Sequence, residues 1–297
     1  MLWLSLRARK AQGGQSQLSF EKGHKAENWR LGEPSGTTQG KPTRGGSMVK
    51  EKSEKRTNPI STTIYSRQIR LNRYLNDAWI FASLLRPELD EQAKKLRTSK
   101  SFKKREFPVP RRNIVVTSKR NDQELGDIYR AQHDRGIFET TIVSVVSRTE
   151  AFIQECVAQA IKAIPKKLTA LSNKNITPEE FLAHEDRDTL LESLIAARCQ
   201  DLMFAKPADY LATVEKVLSI EIKEETKLAF IEMKASRDVI IHNQGEINKI
   251  YVEKAGAKKR GEVGEELVID EGYFADVIKA AKQLAREIQI ATEKKYG

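Results

Sequence analysis

The stretch Lys234-Ala-Ser-Arg-Asp-Val-Ile-Ile-His-Asn-Gln-Gly245 ends an apolar helical run with an arginine and a histidine five positions apart. Arg237 is a permanent cation suited to phosphate or carboxylate, and His242 is the side chain best able to exchange a proton near neutral pH. With Asp238 and Asn243 they form the one compact polar cluster in the chain with an obvious chemical use. At about 100° per residue, Arg237 falls within the sector of Phe230, Met233, Ile240 and Ile241, whereas His242 joins Leu228, Ile231, Ala235 and Val239 on nearly the opposite side. A cation in the middle of an apolar stripe requires a partner or a wet pocket. Asp238 is a poor partner for it, because neighbours on a regular helix point about 100° apart, so Arg237 is expected to reach beyond its own helix. Arg237 and His242 converge only where the helix ends, and Gly245 is placed to end it, or where a second subunit completes the site.

The elements that must hold this cluster are helical. Helices are predicted from Asn58 through Leu85, with Pro87 stopping or bending the first; over residues 122–164, divided at Gly136 and halted before Pro165; from a Thr177 cap with Pro178 at the first helical position; and over residues 187–204, 208–218, 224–242, 246–255 and 271–292. Residues 94–120 read as a basic loop holding one short apolar run, Ile114-Val-Val, with no evident strand partner. Residues 256–270 read as a loop or a small hairpin. The fold class is all-α: a multi-helix bundle with an N-terminal helical extension that packs on it or forms a separate layer. Three segments follow: a disordered basic tail at 1–58, an N-terminal helix plus basic loop at 59–120, and a helical domain at 121–297. Met48 follows Gly45-Gly46-Ser47 and opens a more ordinary lysine-rich start, so no function is assigned to residues 1–47.

Charge narrows the function less than its total suggests. The net is +11, but residues 1–56 carry 12 Lys and Arg against 5 Asp and Glu, so the helical part is only mildly basic. Cys156 and Cys199 sit in apolar helical patterns and read as buried free thiols in a reducing compartment. No run approaches a membrane span, and the expected location is cytoplasmic. His184 and His133 lack a second ligand at metal spacing, so no metal and no cofactor are expected.

Arg237-x4-His242, with Asp238 after the arginine, Asn243 after the histidine, and then Gly245, Ile247, Asn248 and Tyr251 leading into a short helix, resembles the HEPN superfamily (higher eukaryote and prokaryote nucleotide-binding), particularly its RiboL-PSP-type ribonucleases. The resemblance covers roughly residues 135–295. It implies a helical bundle that dimerises, with the two motifs facing each other in a cleft that cuts RNA without a metal. Arg237 would bind the scissile phosphate and His242 would move the proton, giving 2′,3′-cyclic phosphate and 5′-hydroxyl ends. Asp238 and Asn243 would orient them and hold the substrate backbone. Apart from the resemblance, the basic loops at Lys103–Arg112 and at Lys258, Lys259 and Arg260 read either as tracks for an RNA backbone or as solvated loop charge. A role in antiviral defence or as a toxin, with a regulatory or antitoxin partner, follows by the same analogy. The alternative is a non-catalytic helical module for dimerisation or for nucleotide or RNA binding.

Overall fold

The computed structural model describes residues 58–101, 103–171 and 174–297. The basic tail expected at 1–58 lies outside the described residues except for Asn58. What is described is predominantly helical, as expected, with one two-stranded sheet.

Helix α1 (Pro59–Arg97) starts on Asn58, whose side chain accepts the Ile60 N–H at 2.9 Å, with Pro59 at the first helical position. Ile60, Ile64, Leu71, Leu75 and Ala82 recur on one side and are buried. They enter the same core as α3 (Ile137–Ala163) and α10 (Glu271–Tyr296), so α1 packs on the bundle and forms no separate layer.

Of the stop or bend expected at Pro87, the stop does not occur: α1 runs on through it to Arg97. Proline removes one helical hydrogen bond, yet the turns beyond it are held by tertiary contacts. Arg86 pairs with Glu271 and lies 5.3 Å from the Phe138 ring centroid, Asp90 meets Arg130 at 3.0 Å, and Ala93 and Leu96 are buried.

The basic loop is also corrected. Arg105–Arg111 (β1) and Ile114–Arg120 (β2) form an antiparallel hairpin in the register Arg105↔Arg120 to Arg111↔Ile114. The partner missed for Ile114-Val-Val is the proline-containing segment just before it, reached through Arg112 at φ 51°. Its prolines obscured the strand signal, because proline is tolerated only at positions that do not donate to the ladder.

A capping box on Asn121 starts α2 (Asp122–Ala131). The division expected at Gly136 is a π-helical turn over Gln132–Gly136, after which α3 supplies the central core helix and ends before Pro165. Short helices α4 (Leu168–Leu171) and α5 (Pro178–Leu182) follow, the latter on the Thr177 capping box. Next come α6 (Arg187–Met203) and α7 (Pro207–Leu218). Helix α3 packs against α1, α6, α7, α8 (Glu224–His242) and α10. Helix α9 (Lys249–Ala255) begins later than expected, because the Asn248 side chain caps it by accepting the Tyr251 N–H at 2.9 Å. Among the described residues no helix is long and apolar enough to cross a membrane.

Pro87 is exposed, so replacing it forfeits little packing while restoring a donor to the carbonyl one turn back. Pro87→Ala is expected to stabilise the protein by up to about 3 kcal/mol in urea unfolding; a lower midpoint would show that the proline is required where it stands.

Candidate functional site: the C-terminal end of helix α8

Helix α8 begins with Glu224 and Glu225 in its first turn, where acids suit the helix dipole, and it ends at His242. The Asn243 and Gly245 N–H groups both bond to the Val239 carbonyl, at 3.0 and 3.1 Å. Gln244 (φ 52°) and Gly245 (φ 85°) are left-handed, which terminates the helix as expected of Gly245. A Cβ on Gly245 would meet only the end of the Arg135 side chain, which can shift, so it is the left-handed backbone that calls for glycine there.

The segment after the turn is held by residues 262–267. Ile247 N–H donates to the Glu265 carbonyl, Gly264 N–H to the Ile247 carbonyl and Leu267 N–H to the Gly245 carbonyl, each at 2.8 Å. Glu246 and Glu266 form an antiparallel bridge. A hairpin internal to residues 256–270 is therefore not what forms; the loop pairs with the strand-like turn beyond His242, burying Ile247 and Leu267.

Lys234 and Arg237, three apart on α8, both reach Glu150 on α3. Glu150 is almost fully buried (3% of its side chain exposed), Lys234 nearly so (7%), and Arg237 keeps 19%. Arg237 Nη2 donates to Glu150 Oε2 at 2.8 Å, which is the partner outside its own helix that the apolar stripe demanded. Asp238, expected to be a poor partner, does lie within ion-pair range at 3.4 Å from Arg237 Nε. That Nε is buried and makes no hydrogen bond, so proximity has not become a well-aligned contact. Asp238 turns its other oxygen to Lys254 of α9 at 3.2 Å. Lys234 Nζ also stands 4.9 Å from the centroid of the Tyr210 ring, whose buried hydroxyl is pushed up by desolvation and next by the Glu150 charge. The cluster thus sets two carboxylates, Glu150 and Asp238, against three cations, Lys234, Arg237 and Lys254: one positive charge in excess.

His242 is exposed and points elsewhere. It lines an open depression of about 490 Å³ with Asn243, Gln244, Glu246 and Glu266, and a smaller one of about 220 Å³ with Asp238, Val239, Tyr251 and Lys254. Arg237 lines neither, in keeping with its different sector of the helix. Asp238 is the residue that touches both sides. Asn243 donates its amide to the Glu246 carbonyl, locking the turn. Lys259 pairs with Glu262 at 2.6 Å, and Arg260 lays its guanidinium 3.5 Å from the Tyr273 ring centroid while its N–H donates to Tyr251 Oη. Of the three loop cations, Lys258 is left extending into solvent.

A second polar network backs the helix. Glu232 is buried and accepts from Ser236 Oγ at 2.6 Å, Tyr251 Oη at 3.1 Å and Tyr273 Oη at 3.1 Å. Burial raises its carboxyl above the usual glutamate range, opposed by the Ser236 hydrogen bond, the Arg260 charge and the two tyrosines. Burial likewise pushes Tyr251 up to about 12, with the Glu232 charge adding to it. Neither Glu150 nor Glu232 was singled out in the sequence. The available signal was the one that marked Arg237: a charged residue set among apolar positions, Glu150 between Val146 and Ile153, and Glu232 between Ile231 and Met233.

Cys156 and Cys199 are buried free thiols, and burial pushes Cys199 up to about 11. His133 Nδ1 lies 2.7 Å from Asp134. Among the described residues no group of three or more His, Cys, Asp or Glu side chains is placed to hold a metal ion.

Fold and site together define a predominantly helical protein whose penultimate long helix is tied to the core by buried ion pairs and ends in an exposed histidine. The chain matches no family model, no curated protein and no solved structure.

Two predictions follow from the buried groups. Glu150→Ala strands Lys234 and Arg237 and is expected to lower stability by about 3–5 kcal/mol, whereas Lys234→Met leaves Arg237 to neutralise Glu150 and should lower it far less. Equal losses in denaturant melts would contradict the shared pairing. Because the native Glu232 carboxyl is raised, the folded state holds more protons than the unfolded one just above the usual glutamate range. Its contribution is full below that range and lost as pH rises through the folded value. Glu232→Gln should flatten that part of the stability-pH curve; an unchanged slope would place the titration elsewhere.

Proposed function

We propose that this chain is a metal-independent endoribonuclease of the HEPN type, acting as a homodimer whose two α8 ends form one cleft. The observation that supports it most is the charge excess at Arg237: a guanidinium with an unsatisfied buried Nε, in a cluster with one more cation than carboxylates. Lys234 alone can neutralise Glu150, so Arg237 is the member free to turn toward an anion, and it is more exposed than either Lys234 or Glu150. A planar guanidinium meets a phosphate through two parallel hydrogen bonds and offsets the charge that builds on it during displacement.

The chemistry assigned to the site is internal. The RNA 2′-oxygen attacks the adjacent phosphorus as His242 takes its proton, the new P–O2′ bond forms, and the P–O5′ bond breaks as the protonated imidazole returns that proton to the leaving 5′-oxygen. Products are a 2′,3′-cyclic phosphate and a 5′-hydroxyl. Because Arg237 and His242 occupy different sides of one helix, the reading assigns the partner's α8 end the task of bringing both groups to one phosphate. Ile241 and Ile250, exposed beside this end, supply apolar surface for such a contact. Asp238, touching Arg237 and Lys254, is a positioning residue.

One observation favours the second reading, a non-catalytic helical module for dimerisation or nucleotide or RNA binding: Arg237 is held by Glu150 and flanked by Asp238, as a structural ion pair would be. Cleavage of a panel of folded and unstructured RNAs in EDTA separates the two. The endoribonuclease reading expects cyclic-phosphate ends from the wild type, an all-2′-deoxy substrate left intact, and at least a hundredfold slower cleavage by Arg237→Ala and by His242→Ala. Cleavage by either variant at the wild-type rate, or none by the wild type, leaves the second reading.

A further inference from the structure

Residues 103–120 contain seven lysines and arginines against the single acid Glu106. In the fold they form the β1–β2 hairpin, and this hairpin serves no core. Every residue of β1 is exposed, and in β2 all but Val116 and Ser118 are. Phe107, Val109, Ile114 and Val115 stand in solvent. An isolated two-stranded ribbon is marginal by itself, so its sequence calls for a use other than stability.

Its base is fixed. Asp122, buried at the start of α2, accepts Ser99 Oγ at 2.6 Å and Arg105 Nη2 at 3.0 Å, which sets the ribbon's departure from the bundle. Lys119 is neutralised by Glu106 at 2.7 Å. Lys103, Lys104, Arg111, Arg112 and Arg120 have no carboxylate partner among the described residues.

The strand pattern narrows the occupant. Pro108 and Pro110 pair with Thr117 and Val115, and since proline cannot donate, these are the non-hydrogen-bonded pairs, with their nitrogens on the outer edge of β1. That edge is closed to strand addition. A second copy of the hairpin would bring like charge against like charge along the other edge. What remains is a face: Arg105, Phe107, Val109 and Arg111 alternate onto one side of β1, with Arg120 opposite Arg105. Cations at both ends of a ribbon about 20 Å long, with an exposed aromatic ring between them, match a chain of phosphates carrying flat bases.

We propose that the β1–β2 hairpin is an RNA-gripping arm, in which the free arginines hold the backbone of a single strand and Phe107 stacks on one of its bases. This rests on the RNA reading of the α8 site and assigns the arm a task separate from cutting. The arm also takes the backbone-binding role for which Lys259 and Arg260 are already engaged within the fold.

The test is fluorescence anisotropy with the full chain carrying His242→Ala, so that bound RNA is not consumed, against a labelled 20-nucleotide single strand, an RNA duplex and phosphatidylserine vesicles. Arg111→Gln, Arg112→Gln and Arg120→Gln combined should weaken single-strand binding at least tenfold and reduce the slope of log affinity against log salt by about 2. Phe107→Ala should weaken the single strand roughly tenfold and the duplex little. Circular dichroism matching the parent verifies that the bundle is intact, as expected for a hairpin outside the core. Parent-like RNA binding by both variants, binding to vesicles but not to RNA, or no RNA binding by the parent overturns the proposal. Hairpin-dependent binding by a wild type that cannot cut would sustain the arm and remove only the catalytic reading.

Discussion

The structure depends on one buried carboxylate. Glu150 sits in the middle of α3, the helix that touches most of the bundle, and it is reached by two cations one turn apart on α8. Taking a carboxylate out of water is unfavourable by several kcal/mol, and only close cations with good geometry offset it. The pairing therefore fixes the rotation and height of α8 against α3 more narrowly than the apolar contacts of Phe230, Met233 and Val239 could, because hydrophobic contact is not directional. It also leaves the cluster with one cation in excess, which the proposed reading assigns to a phosphate.

The far end of α8 is fixed by different means. Gly245 turns the chain beneath Arg135, the segment beyond pairs with residues 262–267, and Glu232 gathers Ser236, Tyr251 and Tyr273 behind the helix. Side-chain and backbone hydrogen bonds of this kind hold His242 at the rim while its own ring stays open to solvent. On the proposed reading, in which His242 moves a proton, such a supporting shell matters because misplacement by an ångström is enough to slow a reaction greatly.

Much of this was legible in the sequence. Helices α3, α7, α8 and α10 follow from apolar spacing, and Thr177 announces a helix start through capping chemistry. Gly245 announces an end for the same local reason. Helix α1 beyond Pro87 was not legible, because what carries it through is contact with residues far along the chain, Glu271 and Phe138. The hairpin was hidden because its turn, Arg112-Asn113, lacks glycine and its first strand holds two prolines, so the apolar run Ile114-Val-Val had no visible partner. For the site, the helical wheel required a partner for Arg237 but could not say which of many acids supplied it; Glu150 lies 87 positions away.

The central claim is that Arg237 is held by Glu150 yet exchangeable to a phosphate. The most direct measurement is the Arg237 Nε–H resonance, assigned through Arg237→Lys, during titration with a 2′-O-methyl single-stranded RNA that cannot be cut. The account predicts that this resonance shifts and saturates with the RNA while the Lys234 ammonium signal keeps its Glu150-bound position. An Arg237 resonance that stays fixed while signals elsewhere report saturated RNA binding would make the pair purely structural and contradict the account.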